Sequence, residues 1–505
     1  MTDLTRRATI GLLAAAGAIA PARAAEEGLT IAYPYDIPTW DPTASTFTGA
    51  QSVYKAVFDS PLQYSPDLKL QPRLVKEWAF EDPEKRRLAI TLRDGVLFHD
   101  GTPLTTEDVK FSLIDRPAKD PSLLIRRILP ALDGLEIVSP TKAVMVFKNP
   151  SPAAPIYLAF LAFYFVPKAY IERVGEAEFK QHPIGAGAYK FVQYERGSRV
   201  VLEAFDQYWG GAPAIRNVTF QIIPDPTART AAIESGRADL AVQVRLREMT
   251  RLGKIPGLVA EAAPFSEIVM LMTPSYVPAL QDERVRLAMQ LSIDKAAISK
   301  AFYGGLARPL NVLATPGTPG YVANFTIPYD KAKAADLLKQ AGFSPDHPVS
   351  FPFLATNGAF PNDFDVARAI AGMWKAIGIQ ADLQEVTLAK YLDYNRSATL
   401  PGPALYSWAN PTGDPDNYTG KILDASLPFS AWRDPAIGER VHKLMAEPDD
   451  AKRMAGYQEL NKEAAEHAWA PPLFQAVFTM VHKQALHTVT YQGGYIMPAE
   501  YSWTR

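Results

Sequence analysis

Two carboxylates separated by one residue, in Asp414-Pro415-Asp416-Asn417, are the residues of this 505-residue chain whose types and spacing come nearest to a reactive pair. Such a pair can ligate a hard cation or act as acid and base on a scissile bond. The glycine and distal glutamate of a calcium loop are missing, so two further readings stand beside these: shaping of the loop, and contact with a small molecule. The seven histidines are scattered. None forms the i, i+4 pair that would turn two imidazoles toward one metal from a helical face. No G-x-S-x-G, H-E-x-x-H or G-x-x-x-x-G-K-S/T pattern is present. Gly185-Ala186-Gly187 lacks the third glycine and the following helix of a dinucleotide fingerprint, because Tyr189 to Val192 reads as a strand; these glycines are expected to serve backbone geometry. The absence of cysteine removes thiol catalysis, thiolate metal sites, disulfides and a lipidated anchor.

The composition is that of a soluble globular protein of two or three domains. Hydrophobic residues make up 48% and the net charge is −2, which gives no electrostatic footprint for nucleic acid. Arg6-Arg7, the apolar run Ile10 to Ala20 and Ala22-Arg23-Ala24 read as an export signal over residues 1–24, with the arginine pair suggesting twin-arginine targeting. The longest later apolar run, Ile156 to Val166, has 11 residues and ends at Pro167, short of the roughly 18 needed for a membrane span. It reads as a buried helix or strand.

The elements that must position any site follow from pattern. Leu29 to Tyr33 reads as a strand, Tyr35 to Pro42 as an aromatic loop and Gln51 to Phe58 as a helix. Leu88, Ile90 and Leu92 alternate as a strand, Arg93-Asp94-Gly95 and His99-Asp100-Gly101 make turns around a short strand at Val96 to Phe98, and Thr105 caps a helix carrying Val109 and Leu113. Further on, Asp282 to Lys295 carries an apolar helical face with its charges expected in solvent. Val366 to Gly378 reads as a helix, Ile379 to Val386 as a strand, and Met454 to His467 as a helix.

The stretch Leu88 to Leu113, LAITLRDGVLFHDGTPLTTEDVKFSL, closely resembles the signature of the family 5 extracellular solute-binding proteins, the peptide/nickel-type receptors of bacterial ABC importers. His182 to Phe191, Thr227 to Asp239, Asp282 to Lys295 and Leu405 to Tyr418 resemble further segments of that family, so the similarity spans nearly all of the chain after the signal. It implies an α/β, periplasmic binding protein-like fold of the type II, cluster C-like kind: two lobes closing on a cleft, and three domains. These are a discontinuous domain I (25–60, 184–265, 476–505), domain II (61–183) and domain III (266–475).

The resemblance also implies a function. It is a periplasmic receptor that captures a peptide-like or other small organic solute and delivers it to an importer's permease and ATPase. Such a receptor is expected to be monomeric, with no cofactor, metal, membrane anchor or catalytic residue. Trp408 stands where relatives turn a tryptophan to the ligand, and an indole offers stacking area and one N–H donor. Asn410 and Asp414 share its loop, Tyr35 and Trp40 lie in the opposing ligand-facing loop, and Asn357 precedes a helix. Dipeptide receptors pair the ligand's amino end with an Asp and its carboxylate with an Arg. Pro411 and Asn357 stand at those positions here, which disfavours a simple zwitterionic dipeptide. A secreted hydrolase using Asp414 and Asp416, and a periplasmic sensor or chaperone on the same fold, are the alternatives.

Overall fold

The computed structural model describes residues 28–430 and 432–504, so the expected export signal lies outside the described residues. A mixed sheet of eleven strands runs through both lobes. Its order is Ile379–Glu385, Val349–Ala355, Ala404–Ala409, Leu258–Met272, Pro472–Lys483, Leu240–Val242, Gly28–Tyr33, Asn217–Ile222, Arg199–Ala204 and Tyr189–Glu195, with Arg308–Pro309 beside Pro472–Lys483. Parallel neighbours need a crossover. The helix Asp363–Lys375 supplies it between Val349–Ala355 and Ile379–Glu385, and Pro226–Glu234 carries the chain from Asn217–Ile222 to Leu240–Val242, the two strands that flank Gly28–Tyr33. The first of these helices buries Val366, Ala367, Ile370 and Trp374, the i, i+1, i+4, i+8 stripe of a helix laid on a sheet.

Two strands in the centre of this sheet are unusually long. Leu258–Met272 has 15 residues and Pro472–Lys483 has 12, and they pair antiparallel along almost their whole length. At one end Phe478 and Met480 pack with Ile31, Phe58 and Phe220; at the other, Val269 and Phe474 pack with Met289, Phe351 and Trp374. The pair therefore joins two separately cored lobes. Between Pro264 and Ile268 the ladder breaks register, so that Phe265, Ser266 and Glu267 form a bulge.

Beside the first lobe's core lies a four-stranded antiparallel sheet in the order Val75–Phe80, Arg87–Leu92, Lys142–Phe147, Leu132–Ser139. The expected alternation is met: Leu88, Ile90 and Leu92 are all buried. Thr105 caps the helix Thr106–Lys110, its backbone N–H and hydroxyl both donating to the Asp108 carboxylate at 2.9 and 3.0 Å. Val96 to Phe98 is not a strand. Two consecutive turns leave it three residues, and only an isolated bridge from Leu97 to Pro103 forms. Ile156 to Val166 is neither a long helix nor a strand: after the short helix Ala154–Tyr157 its buried backbone runs through turns, with Leu158 O accepting from Leu62 N at 3.1 Å and Val166 N donating to Ser112 Oγ at 2.9 Å. Among the described residues no helix is long and apolar enough to cross a membrane.

Arg286 departs from the expected solvated face of its helix, Glu283–Leu291. Its guanidinium is buried over the Trp432 ring at 4.2 Å and donates to the carbonyls of Leu280 and His467.

The glycines at the crossing between the two sheets are fixed by proximity. A Cβ on Gly185 or Gly187 would lie 2.3 Å from the carbonyl oxygen of Val57 or Ala56. His99 braces the same crossing, its Nδ1 accepting from Gly185 N at 3.2 Å, which leaves Nε2–H to donate to Gly187 O at 3.0 Å. Burial lowers this imidazole to about 4, so it stays neutral and the brace holds. Gly187→Ala is expected to cost about 1–3 kcal/mol or more through overpacking against backbone, measured as a lower urea midpoint with unchanged slope.

Candidate functional site

Three chain segments converge on the bulge of the long strand. Ser266 N donates to Gln492 O at 2.7 Å, Asn410 N donates to Ser266 O at 2.7 Å, and the Ser266 hydroxyl donates to Asn410 O. The bulge thus carries the loop that follows the strand Ala404–Ala409 and a segment from the end of the chain. Gln475, on the neighbouring long strand, closes the break by donating to Phe265 O at 3.1 Å.

The loop is held by its own side chains. Asn410 is fully buried; its Nδ2 donates to Asp414 O at 2.8 Å and its Oδ1 accepts from Thr412 N at 3.1 Å and Thr412 Oγ1 at 2.6 Å. Asp414 is gripped in bidentate fashion by Arg453, at 2.6 and 3.0 Å, and accepts from Asp416 N at 2.9 Å. Asp416 takes the same guanidinium at 2.7 Å and the Tyr457 hydroxyl. Burial pushes the Asp416 carboxyl up, against the pull of Arg453. The polar atoms of Asn410 and Asp414 are spent on the loop, against the expectation that they face a ligand, and the two carboxylates converge on a buried arginine, in keeping with the loop-shaping reading rather than the reactive one. Pro411 is buried in the same loop.

Trp408 is half-buried and packed against Tyr406 and Phe429. Its N–H donates to Asn417 O at 2.7 Å, so the indole offers stacking area and no free donor. In the other lobe Tyr35 packs edge-on to Tyr33 and Phe47 and donates to Gln243 Oε1 at 2.9 Å. Trp40 is turned into the core, edge-on to Phe191 at 4.8 Å and Tyr194 at 5.6 Å, against the expectation that it faces ligand. Asn357 is exposed on the loop before Asp363–Lys375 and makes no hydrogen bond among the described residues. Of the six residues expected at the site, the structure leaves Trp408 and Tyr35 with side-chain surface near the bulge.

Reading of the sequence missed Glu267, which sits in the bulge itself. The signal was present: it is the lone charge in the otherwise apolar run Phe265 to Thr273. Glu267 is half-buried and makes no hydrogen bond or ion pair among the described residues. Burial raises its carboxyl from 4.5 to about 7. Its charge also acts on Tyr35 and Tyr406, whose hydroxyls burial first pushes up to about 12.

Two lysines make contacts between the lobes. Lys421 sits over the Phe160 ring at 5.0 Å, and Lys85 pairs with Asp450 at 2.8 Å. Burial lowers Lys421 to about 8, with Asp416 opposing.

Residues 69–426 match the model of the bacterial extracellular solute-binding proteins, family 5. The chain is a family 5 extracellular solute-binding protein. It is 27% identical over 447 residues to the di/tripeptide-binding protein 2 of Pseudomonas aeruginosa (strain UCBPP-PA14), covering 82% of each chain. Its fold is shared with the periplasmic binding protein DppA from Helicobacter pylori in complex with the peptide STSA, with a TM-score of 0.82 at 20% identity over 95% of this chain and 99% of that one. NikZ from Campylobacter jejuni in complex with Ni(L-His) gives a TM-score of 0.82 at 23% identity over 94% and 99%. Among the described residues of this family 5 protein, no group of three or more His, Asp or Glu side chains is placed to hold a metal ion.

Two outcomes follow for the solute-binding protein. Arg453→Met strands two buried carboxylates and is expected to cost about 3–5 kcal/mol of unfolding free energy, seen by denaturant titration. Glu267 holds a proton in the folded state up to about 7 and in the unfolded state only up to 4.5, so the folded form binds more protons within this window and stability falls as pH rises through it. Glu267→Gln is therefore expected to gain about 1–3 kcal/mol at about pH 8 and little at about pH 4, measured by calorimetry.

Proposed function

We propose that this chain is the periplasmic receptor of an ABC importer. It encloses a small organic solute between its lobes and delivers it to the importer's permease and ATPase subunits, and it breaks no bond. The observation that carries this reading is the pair of long strands joining two separately cored lobes, with half-buried Trp408, Tyr406 and Glu267 beside the bulge of one of them. Such a connection bends without unfolding, and ligand contacts made by both lobes favour the closed arrangement. The relatives named above support the solute class at the level of peptides and small amino-acid chelates.

The chain is proposed to act as a monomer, exported by the twin-arginine route through residues 1–24. Three domains are proposed: 25–60 with 184–265 and 476–505, then 61–183, then 266–475. The separate apolar cores around Ile31 and Phe220, around Leu88 and Phe147, and around Met289 and Trp374 support this division. Hydrolysis is disfavoured because Asp414 and Asp416 are both committed to Arg453.

Native mass spectrometry of protein gently purified from exporting cells tests receptor function. A bound small molecule released on unfolding is expected, and a protein that is empty in every preparation and insensitive to periplasmic extract would overturn the reading. Among pure compounds, dialanine is expected to leave the melting temperature unchanged. A rise of several degrees, the mark of tight binding to the folded state, would show that both ends of a zwitterion are paired.

A further inference from the structure

We propose that Glu267 is the charged anchor of the ligand site, and that the solute is a small organic cation bearing an ammonium or guanidinium group. This rests on the reading of the chain as a solute receptor and goes beyond it to the solute's charge.

Other acids of the interior have their partners inside the protein. Asp41 is paired with Arg116 at 2.6 Å, Asp59 with Arg73 at 3.1 Å, and Asp414 and Asp416 with Arg453. Glu267 has none among the described residues, although it is half-buried and desolvated enough to hold its proton up to about 7. Leaving a carboxylate in such a place costs free energy unless something outside the protein pairs with it.

Its position favours an external partner. Glu267 pairs in register with Ala409, one residue beyond Trp408, at the point where the long strand bulges between the lobes. Side chains alternate along a strand, so Glu267 shares a face with Val269. Val269 lines a cavity of about 20 Å³ together with Tyr303, Phe360 and Val477. Glu267 lies two residues from this cavity wall, on the same strand face.

The surroundings leave the charge of Glu267 unanswered. The charge of Glu267 reaches Tyr35 from one lobe and Tyr303, Tyr406 and Tyr418 from the other. None of the four hydroxyls donates to it: Tyr35 donates to Gln243 and Tyr303 to Pro361 O at 2.8 Å, while Tyr418 lies 3.5 Å from Ser266 Oγ. A carboxylate that no group of the protein pairs or hydrogen-bonds attracts a cation by ion pairing. Arg229, whose charge acts on Tyr35, is already committed: it donates to the carbonyls of Val242, Ile223, Pro224 and Gln243.

The test uses the full mature protein at about pH 8, with spermidine, choline and dialanine amide as cationic probes and N-acetyl-dialanine and dialanine as anionic and zwitterionic ones. Calorimetry is expected to show binding by at least one cationic probe, weakened at least tenfold by Glu267→Gln, a variant expected to fold and to melt higher. The anionic and zwitterionic probes are expected to be silent. The inference is overturned if no cationic probe binds, if Glu267→Gln binds the cation as tightly as the parent, or if the retained solute seen by native mass spectrometry proves neutral or anionic. The last outcome leaves the receptor reading standing, whereas protein that never retains a solute fails that reading independently.

Discussion

Everything in the cleft depends on a β-ladder that must cross from one lobe to the other without leaving backbone groups unpaired. Leu258–Met272 and Pro472–Lys483 achieve this by pairing along nearly their full length. A regular ladder of that length would be stiff, and the bulge at Phe265 to Glu267 is where the pairing is interrupted. The interrupted groups are taken up by Gln492, Asn410 and the Gln475 side chain. Interrupting the ladder therefore gathers a loop more than 140 residues away and a segment more than 220 residues away to one point, which is why the site is assembled from sequence-distant pieces.

Carboxylates near this point meet opposite fates. Asp414 and Asp416 are buried against one guanidinium, so their charges serve the loop. Glu267 is left on the strand with no such partner. The difference is one of neighbours: Arg453 is delivered by the helix Asp450–Glu466, while among the described residues no cation pairs with Glu267. Buried pairs fix shape, and an unpaired acid is the group with something left to give a ligand.

Much of the architecture was legible from residue patterns. The alternation of Leu88, Ile90 and Leu92 and the Thr105 cap are local signals, and each formed as read. The failures are non-local. Val96 to Phe98 had strand composition but no partner strand, and Ile156 to Val166 found its hydrogen bonds at Leu62 and Ser112, which no periodicity could indicate. At the site, the chemistry of Trp408 and Asp414 was visible, but their partners Asn417 and Arg453 were not, so a donor and an acid already spent on the loop read as available. Glu267 was overlooked because eight apolar or small neighbours made its strand read as core; the exception carried the information.

The loop from Asn410 to Asn417 is held by its own side chains together with Arg453, Tyr457 and Ser266, and that has a kinetic consequence. A solute arriving at this wall has no segment to order, so its encounter with the open form bears only the entropy of its own immobilisation and of closing the lobes. Related solutes then differ chiefly in how long they hold the protein shut. The lifetime of the closed form, rather than the speed of capture, becomes the quantity by which one compound is preferred over another, and it is also the time available for meeting a membrane partner.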